Sequence, residues 1–287
     1  MEKHYRCRVA ALQGGIAMFE ITSLQNPKFK AAVALKERKE RDQEGLFLIE
    51  GYRELRRAVD HDVKITALLI CPKLFLGENE GFLIEECARA EATIYSCAPH
   101  LLEKLSYRDR SDGLIAIAKK STRTIHDLEV SPNSLFIIAE AIEKPGNLGT
   151  ILRSADAAGA DGVIICDRCT DMYNPNVVRA SVGTLFTLPV VEASTEETLL
   201  FLQKHGIQIV ATTPAADQFF TDADLKGSIA IVVGTEQLGL SQEWLDRADL
   251  QVKIPMLGVA DSLNVASATT LLLYEAVRQR SSLCSLK

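Results

Sequence analysis

Hydrophobic runs alternate with charged, helix-periodic stretches along most of the 287-residue chain. In the second half these runs have the length of strands and are almost continuous in Val, Ile and Leu, as in SLFIIAEAI, GVIICD, LPVVEA, GIQIVATT, SIAIVVG and LQVKIPM. Strands that are apolar on both faces are typical of a parallel sheet covered by helices. The pattern therefore predicts an α/β protein that ends in a long apolar helix over SLNVASATTLLLYEAVRQR.

The first half has a similar alternation with more charge. Between residues 28 and 57 the pattern predicts a helix, a short strand FLIEG and another helix, and ALLICP, ATIYSC and GLIAIAKK predict further strands. The polar segment STRTIHDLEVSPNS contains a proline and lacks periodicity, which is typical of a linker. We predict an N-terminal α/β domain over 19–122, a linker over 123–133 and a second domain over 134–287. Residues 1–18 fit no pattern and are expected to be an extension, with Met18 open as the true start.

The net charge differs between the two halves. The whole chain has a formal charge of −6, which argues against a diffuse positive surface for nucleic acid. Split at residue 125, the first part has 21 basic and 18 acidic residues, and the second has 11 and 20. The first part, with a charge of +3, could bind a polyanion while attached to a second part with a charge of −9. Two ordinary solvated surfaces would also account for these charges.

Cysteine usage and hydropathy indicate the cellular compartment of the protein. Its seven cysteines are an odd number scattered along the chain, which favours reduced thiols in a cytosol. Cys166 and Cys169 form a CxxC without a second such pair, so we expect no metal site. The chain has no apolar run approaching the roughly 18 residues of a membrane span, and its N-terminal residues lack a signal-peptide stretch. We expect a cytoplasmic protein without a membrane partner.

Three glycine-bearing turns follow predicted strands of the second domain, namely EKPGNLGTILRSA, VVGTEQLGLS and IPMLGVADSLNVASA. Turns of this kind bind ligands in open α/β sheets because backbone amides can approach the ligand closely. The spacing matches neither GxGxxG nor a P-loop, so a Rossmann or P-loop phosphate site is unsupported. Single polar residues here have ordinary explanations: Asn147 or Ser262 could cap a helix, and Arg153 could be a surface charge. Glu236 could be a solvated carboxylate, whereas Asn264 is a poor helix former and fits a purely structural role less well.

Taken together, these turns resemble ordered motifs of the SpoU-type branch of the SPOUT class of RNA methyltransferases, over about Phe136 to Arg280. The matching residues are Asn147, Gly149 and Arg153 in the first motif, Gly234, Glu236, Gly239 and Ser241 in the second, and Ile254, Pro255, Met256, Ser262, Leu263 and Asn264 in the third. YNPNVVRASVGTLFTLPV, which contains Arg179, resembles the segment between the first two. The first domain is similar to the family's ribosomal-protein-like, RNA-binding extension through ITSLQNPKFK, FLIEGYRELRRAV and SDGLIAIAKK. In EKPGN, Lys144 stands where many members carry an aspartate.

The resemblance implies S-adenosylmethionine as the methyl donor, a trefoil-knotted parallel-sheet domain and a homodimer. It implies a donor pocket formed by Thr212, Gly234, Glu236, Gly239, Ile254, Met256, Ser262 and Leu263. It also implies catalytic roles for Arg153, Asn147, Glu236, Ser262 and Asn264. Candidate RNA contacts are Arg179, Lys28, Lys30, Arg38, Arg41, Arg53 and Arg56. One face of the last helix, with Leu263, Ala266, Thr270, Leu273 and Val277, is a candidate dimer surface, and burial within one subunit explains it equally well.

The function implied is methyl transfer to a ribose 2′-hydroxyl of RNA. Ribosomal RNA is favoured over transfer RNA because members with such an N-terminal module often act there, and because the tail SSLCSLK is not basic. A non-catalytic RNA-binding or ribosome-assembly protein that keeps the fold is the alternative from another class. The intact Asn147, Arg153, Glu236, Ser262 and Asn264 count against it.

Overall fold

The computed structural model describes residues 9–11 and 17–281, which form two compact units. Unit 1 contains the described residues up to Ser121 and the segment Tyr173–Phe186. Unit 2 contains Thr122–Met172 and the described residues from Thr187 onward. The contacts therefore assign Tyr173–Phe186 to unit 1, although the sequence pattern led us to expect it in the second domain. Of the predicted N-terminal extension, residues 1–8 and 12–16 lie outside the described residues.

Unit 1 is built on a six-stranded mixed sheet with the order β1-β2-β5-β4-β6-β3. Its strands are β1 (Val9–Ala11), β2 (Ala17–Ile21), β3 (Leu46–Glu50), β4 (Ile65–Ile70), β5 (Thr93–Cys97) and β6 (Leu114–Lys119). β2, β5 and β4 run parallel, whereas β6 is antiparallel to both β4 and β3. The predicted strands of the first half are thus present, and the β1–β2 pair, with Ala10 opposite Met18, adds an edge that the pattern did not predict.

Unit 2 contains a seven-stranded sheet in which every neighbouring pair is parallel, in the order β11-β13-β10-β12-β7-β8-β9. Its strands are β7 (Leu135–Glu140), β8 (Gly162–Cys166), β9 (Val190–Ala193), β10 (Gln208–Thr212), β11 (Gln218–Phe219), β12 (Ile229–Val233) and β13 (Leu250–Lys253). β7, β8 and β12 are buried at every position, which is why these runs are apolar except for Glu140 at the end of β7, whose carboxylate accepts from the Ser241 amide at 2.9 Å. The predicted parallel sheet is confirmed.

The helices connect the strands of both sheets, and several start at recognisable signals. They are α1 (Pro27–Ala34), α2 (Arg38–Glu44), α3 (Tyr52–Asp60), α4 (Glu80–Arg89), α5 (Pro99–Leu105), α6 (Pro145–Ala157), α7 (Pro175–Ala180), α8 (Thr184–Thr187), α9 (Thr195–His205), α10 (Gln242–Arg247) and α11 (Val265–Ser281). Asn26 caps α1 by accepting from the amide of Lys28 at 2.9 Å, and Pro27 occupies the first helical position. α2 ends at Gly45, which adopts the left-handed conformation.

The C-terminal helix α11 is tied to the start of the unit 2 sheet. The Arg280 guanidinium donates to the carbonyl oxygens of Asn133 at 2.7 Å, Gly227 at 2.6 Å and Leu225 at 3.1 Å. Gln279 exchanges hydrogen bonds with the backbone of Ala223 and Leu225, both at 2.9 Å. Burial lowers the pKa of Arg280 from its ordinary value. These carbonyl and amide contacts, together with a bond from Arg280 to the Ser134 carbonyl at 3.3 Å, hold α11 in place beside the core.

Candidate active site

The three glycine-bearing turns of unit 2 follow β7, β12 and β13, whose carboxyl ends lie at one edge of the parallel sheet. A cavity of about 580 Å³ opens at this edge. All eight residues predicted for the donor pocket line it: Thr212, Gly234, Glu236, Gly239, Ile254, Met256, Ser262 and Leu263. This position, outside the carboxyl ends of parallel strands, is where open α/β sheets bind ligands.

The loop after β12 has a backbone path that needs glycine. The amide of Thr235 donates to the Gly239 carbonyl at 3.0 Å, and the Gly239 amide donates back at 3.1 Å. A Cβ on Gly234 would lie 2.2 Å from the Gly239 carbonyl oxygen, and Gly239 itself has φ of +70°. Because the obstacle is backbone, Gly234 could not be replaced without opening the loop.

The cavity has a mainly apolar wall. Leu240, Leu245, Val252, Met256 and Leu272 line it beside the residues already named. The hydroxyl of Thr212 is occupied because it donates to the Val232 carbonyl at 2.8 Å. Apolar walls with a few fixed polar groups are the usual composition of small-molecule sites.

Glu236 joins residues from all three turns. Its Oε1 accepts from the side-chain amides of Asn147 at 2.9 Å and Asn264 at 2.7 Å, and the Asn264 amide also lies 3.0 Å from Asn147 Oδ1. Its Oε2 forms an ion pair with the Lys144 ammonium. Residues 120 positions apart in the sequence thus form one hydrogen-bonded cluster, which we call the Glu236 cluster: Lys144, Asn147, Glu236 and Asn264.

The electrostatics of the cluster favour an ionised Glu236. The Lys144 ammonium, followed by the Asn147 amide, holds the pKa of the Glu236 carboxyl below its ordinary value. Lys144 was not among the predicted site residues. The signal was present in the sequence, because this lysine was the noted departure from the aspartate that the resemblance leads one to expect.

Asn264 also begins the last helix. Its Oδ1 accepts from the Ala266 amide at 3.1 Å, one residue after α11 starts, while its Nδ2 serves the Glu236 cluster. The oxygen of this amide side chain therefore caps the helix, and its nitrogen donates to the Glu236 cluster. Asn264, and not Ser262, therefore caps this helix, and Ser262 lies in the exposed loop beside the cavity.

Arg153 stands apart from the Glu236 cluster. It is exposed on α6, and it forms no hydrogen bond or ion pair with any residue that the structure describes. Six residues after Asn147, it points about 120° around the helix from that side chain. Its neighbour Ser154 contacts α11 through the Thr270 hydroxyl at 2.7 Å.

The predicted RNA-binding residues all belong to unit 1. They differ in how exposed their side chains are and in which residues they contact. Lys28, Lys30 and Arg53 are exposed, and their side chains lack a hydrogen bond or ion pair within the described ranges. Arg38 is exposed beside Asp42 at 3.6 Å, and Arg179 donates to the Tyr107 carbonyl at 3.4 Å.

Two predicted RNA contacts have structural roles. Arg41 is 1% exposed, and its guanidinium donates to the carbonyls of Leu35 at 2.9 Å and Lys36 at 2.7 Å. These bonds join the end of α1 to α2 and remove Arg41 from contact with a ligand, which corrects the prediction for this residue. Arg56 is half-buried and held between Asp60 and Glu86, which leaves it little reach for a phosphate.

The part of the chain that the structure describes contains no group of three potential metal ligands. Within those residues, no helix combines the length and the apolar character needed to cross a bilayer.

Comparison with known proteins gives matches for both units. Residues 134–274 match the SpoU rRNA Methylase family, and residues 26–116 match an MRM3-like substrate binding domain. A 23S rRNA (uridine(2479)-2′-O)-methyltransferase of Streptomyces viridochromogenes is 34% identical over 270 residues, covering 91% of this chain and 93% of that protein. A 23S rRNA (guanosine(2553)-2′-O)-methyltransferase of Bacillus subtilis is 27% identical over 262 residues, 90% and 98% of the two chains.

A solved structure matches as well. The AdoMet-bound rRNA methyltransferase from Sinorhizobium meliloti superimposes with a TM-score of 0.85 and 31% identity over 91% of this chain and 98% of that one. The resemblance seen in the motifs of the second half therefore extends over both units of the chain.

Proposed function

Since this chain belongs to the SpoU rRNA methylase family, we propose that it transfers a methyl group from S-adenosylmethionine to a ribose 2′-hydroxyl of 23S ribosomal RNA. The observation that carries the proposal is the cavity of unit 2, because every predicted donor-pocket residue lines it and the Glu236 cluster borders it. The names of the two relatives support the large-subunit RNA and the 2′ position.

The residues of the cavity fit S-adenosylmethionine. Its volume of about 580 Å³ lies within the usual range for small-molecule sites, and its wall offers apolar side chains for an adenine ring. The tight turn at Gly234 brings backbone amides and carbonyls to the rim, where they can read polar edges without charged ligands. When bound, the donor supplies an electrophilic methyl group on a sulfonium.

The residues of the chain then have to activate and align a poor nucleophile, the ribose 2′-hydroxyl. A ribose 2′-hydroxyl has a high pKa, so it needs help in losing its proton and an aligned position. In our proposal Arg153 is the electrostatic partner of that oxygen, because a guanidinium is almost always protonated and carries several hydrogen-bond donors. Asn147 and Asn264, both held by Glu236, orient the ribose, and Ser262 holds the donor from the loop beside the cavity.

A homodimer completes this arrangement. Arg153 points away from the Glu236 cluster of its own chain, so it is available to the cavity of a second copy. The initially considered face of α11 is mostly buried within unit 2, since Ala266 and Leu273 are in the core and Thr270 bonds Ser154. Instead, Leu271 and Tyr274 of the same helix are 43% and 48% exposed and supply an apolar surface for the partner. The trefoil knot belongs to this proposal too, supported by the meeting of the Gly234 and Ile254 loops at one cavity.

Unit 1 delivers the RNA. Its residues 26–116 match a substrate binding domain, and Lys28, Lys30 and Arg53 offer unpaired cations to phosphates. We expect this activity in the cytoplasm, together with the ribosomal substrate. Transfer RNA remains the second candidate, favoured by no feature of the two units beyond the shared catalytic motifs.

The deciding experiment compares ribosomal RNA from cells with and without the gene by mapping 2′-O-methyl sites. We expect one site in 23S rRNA to lose its methyl group, and purified protein with S-adenosylmethionine should restore it in vitro. A lost site in transfer RNA would select the second candidate. Unchanged methylation together with no heat of S-adenosylmethionine binding in calorimetry would favour the non-catalytic RNA-binding protein instead.

A further inference from the structure

The Glu236 cluster contains one charged side chain to which the proposed reaction gives no part, the ammonium of Lys144. This ammonium pairs with Glu236 Oε2. The side-chain amides of Asn147 and Asn264 donate to Oε1 of the same carboxylate, at 2.9 Å and 2.7 Å. The ammonium and the two amides therefore lie at the two oxygens of one carboxyl group, so a ligand held by the amides is within reach of the ammonium.

The Lys144 ammonium is open to solvent. Its side chain is 66% exposed, and its pair with Glu236 is the one contact that it forms within the described residues. An ammonium has three N–H donors and no acceptor, so two donors remain for a ligand. A ligand can reach them from outside without any movement of the chain.

The backbone of Lys144 is fixed relative to Asn147. Lys144 precedes Pro145, the first residue of α6, and its carbonyl accepts from the Asn147 amide at 3.0 Å. A residue before proline is restricted to extended conformations, and Lys144 has φ of −90° and ψ of 120°. Both side chains therefore start from one rigid turn, which keeps the ammonium beside the amide.

The cluster lies at the border of the donor cavity. Glu236 lines this cavity, whereas the other three members of the cluster do not. The exposed ammonium is therefore better placed for the second substrate, the RNA, than for the donor. Its positive charge also offsets that of Glu236, which would otherwise repel an RNA backbone.

The chemistry of RNA supplies a partner for this ammonium. A ribose inside an RNA chain has a phosphate on its 3′ oxygen, and the 3′ carbon is the neighbour of the carbon that carries the 2′-hydroxyl. A ribose that Asn147 and Asn264 orient brings this phosphate to the cluster with it. Lysine binds phosphate as a point charge, without the fixed geometry that a guanidinium requires.

We propose that the Lys144 ammonium binds the phosphate on the 3′ side of the methylated nucleotide while it remains paired with Glu236. The inference rests on the proposed function and assigns Lys144 as a positioning residue, which fixes the ribose through its phosphate and does not touch the reacting atoms. An aspartate, which the motif leads one to expect at this position, could form neither contact.

The first test compares two fragments of 23S rRNA that both end at the methylated nucleotide, one with a 3′-phosphate and one with a 3′-hydroxyl. Methyl transfer by the full chain is measured at steady state. For the wild type we expect the KM of the phosphorylated fragment to be about tenfold lower, with kcat the same within about twofold, because one charged contact is worth a factor of this size in binding.

Three variants locate the effect. Lys144→Met should give the two fragments equal KM values, whereas Lys144→Arg, which keeps the charge, should retain the preference. Lys204→Met is the matched control, since Lys204 is exposed near the end of α9, where the chain enters the opposite edge of the sheet at β10. It should keep the full preference. If Lys144 only held Glu236 in place, Lys144→Met would impair both fragments by the same factor and leave the preference intact.

The second test needs no methyl transfer. Filter binding of the full chain to an unmodified 23S rRNA transcript is measured from about 50 to 200 mM KCl, because the slope of log Kobs against log[KCl] counts the phosphates that the protein neutralises. Lys144→Met should reduce this slope by about 0.7–0.9, which corresponds to one phosphate. Lys144→Arg and Lys204→Met should keep the slope of the wild type.

Equal KM values for the two fragments in the wild type would overturn the proposal, as would a 3′-phosphate preference or a salt slope that Lys144→Met leaves unchanged. A chain that methylates both fragments equally well keeps the proposed function and loses only the phosphate contact. If the chain methylates neither fragment, the proposed function fails and the salt slope alone decides whether Lys144 contacts a phosphate.

Discussion

Glu236 in unit 2 and Glu54 in unit 1 are both carboxylates beside a basic side chain, yet their oxygens are satisfied differently. The Glu236 side chain is 26% exposed, and the Lys144 ammonium and two amides serve both of its oxygens. Glu54 is buried, and only one of its oxygens has a partner. A fully bonded carboxylate holds its neighbours in a fixed geometry, whereas a half-bonded buried one leaves an acceptor unsatisfied in the core of unit 1.

The same contrast separates two arginines that the sequence alone treats alike. Arg153 of unit 2 is exposed, and its guanidinium bonds no described residue, so all of its donors are available. Arg41 of unit 1 is buried against two carbonyls and supports the packing of α1 and α2. The sequence therefore shows where the cations are. Only the hydrogen-bond partners in the structure show which of these cations are available to bind a ligand.

The largest effect is expected at Arg153. Arg153→Ala should reduce methyl transfer by about 10²–10⁴, the range for a group that assists proton transfer. Donor affinity in calorimetry and the melting temperature should stay as in the wild type, because the side chain is exposed and does not line the donor cavity of its own chain. Arg247→Ala, another exposed cation of unit 2, is the control and should retain activity. Equal turnover in both variants would remove Arg153 from the mechanism.

Arg41 should give the opposite pattern. Arg41→Met removes the guanidinium donor from the Leu35 carbonyl and leaves the Lys36 carbonyl the Tyr107 hydroxyl at 3.4 Å, and we expect the free energy of unfolding to fall by about 1–3 kcal/mol. Urea denaturation measures the loss. Lys39→Met on the exposed side of α2 should change stability by less than about 0.5 kcal/mol. A stable Arg41→Met variant with weakened RNA binding would restore the RNA contact first predicted for this residue.

Two glycines extend the comparison to the backbone. A Cβ on Gly234 would meet a backbone oxygen at 2.2 Å, whereas a Cβ on Gly51 would meet the end of the Arg108 side chain at 2.2 Å. Gly234→Ala must open the loop after β12, so donor affinity should fall about tenfold by calorimetry. Gly227→Ala, where a Cβ meets nothing within 4 Å, should bind the donor normally. Unaltered affinity of Gly234→Ala would mean that the loop opens without disturbing the pocket.

The smallest effect is a pKa change. The Lys144 ammonium is the first cause of the lowered pKa of Glu236, so Lys144→Met should raise that pKa toward its ordinary value. A carboxyl with a lowered folded pKa stabilises the native state above its unfolded pKa, and this stabilisation is lost as the pH falls through the folded value. The variant should therefore lose it at a higher pH. Carboxyl ¹³C shifts in a pH titration measure the change, and Lys144→Arg should behave as the wild type.

Much of unit 2 was predictable because its sheet is buried on both faces. The strands begin and end within a few residues of the apolar runs, as Leu135–Glu140 does within SLFIIAEAI. The predicted pocket residues all reach one cavity, since parallel strands bring their carboxyl ends together. Asn147, Glu236 and Asn264 also meet as a cluster.

The remaining features depend on contacts between distant residues. The motifs place Tyr173–Phe186 among the segments of the second domain, but its packing, with 4.5 Å between the ring centres of Tyr173 and Phe47, groups it with unit 1. The burial of Arg41 follows from a break between α1 and α2 that a charged, helix-periodic stretch conceals. Lys144 acquires its role only when the loop after β12 places Glu236 beside it.

The carbonyl contacts of Arg280 have a consequence for synthesis on the ribosome. The bond to the Asn133 carbonyl closes a loop of nearly the whole of unit 2, up to the last turn of α11, so this part of the packing has a high contact order. Domains generally fold as units while the chain emerges from its N-terminus. Unit 2 must therefore wait, with its apolar strands already made, until α11 leaves the ribosome.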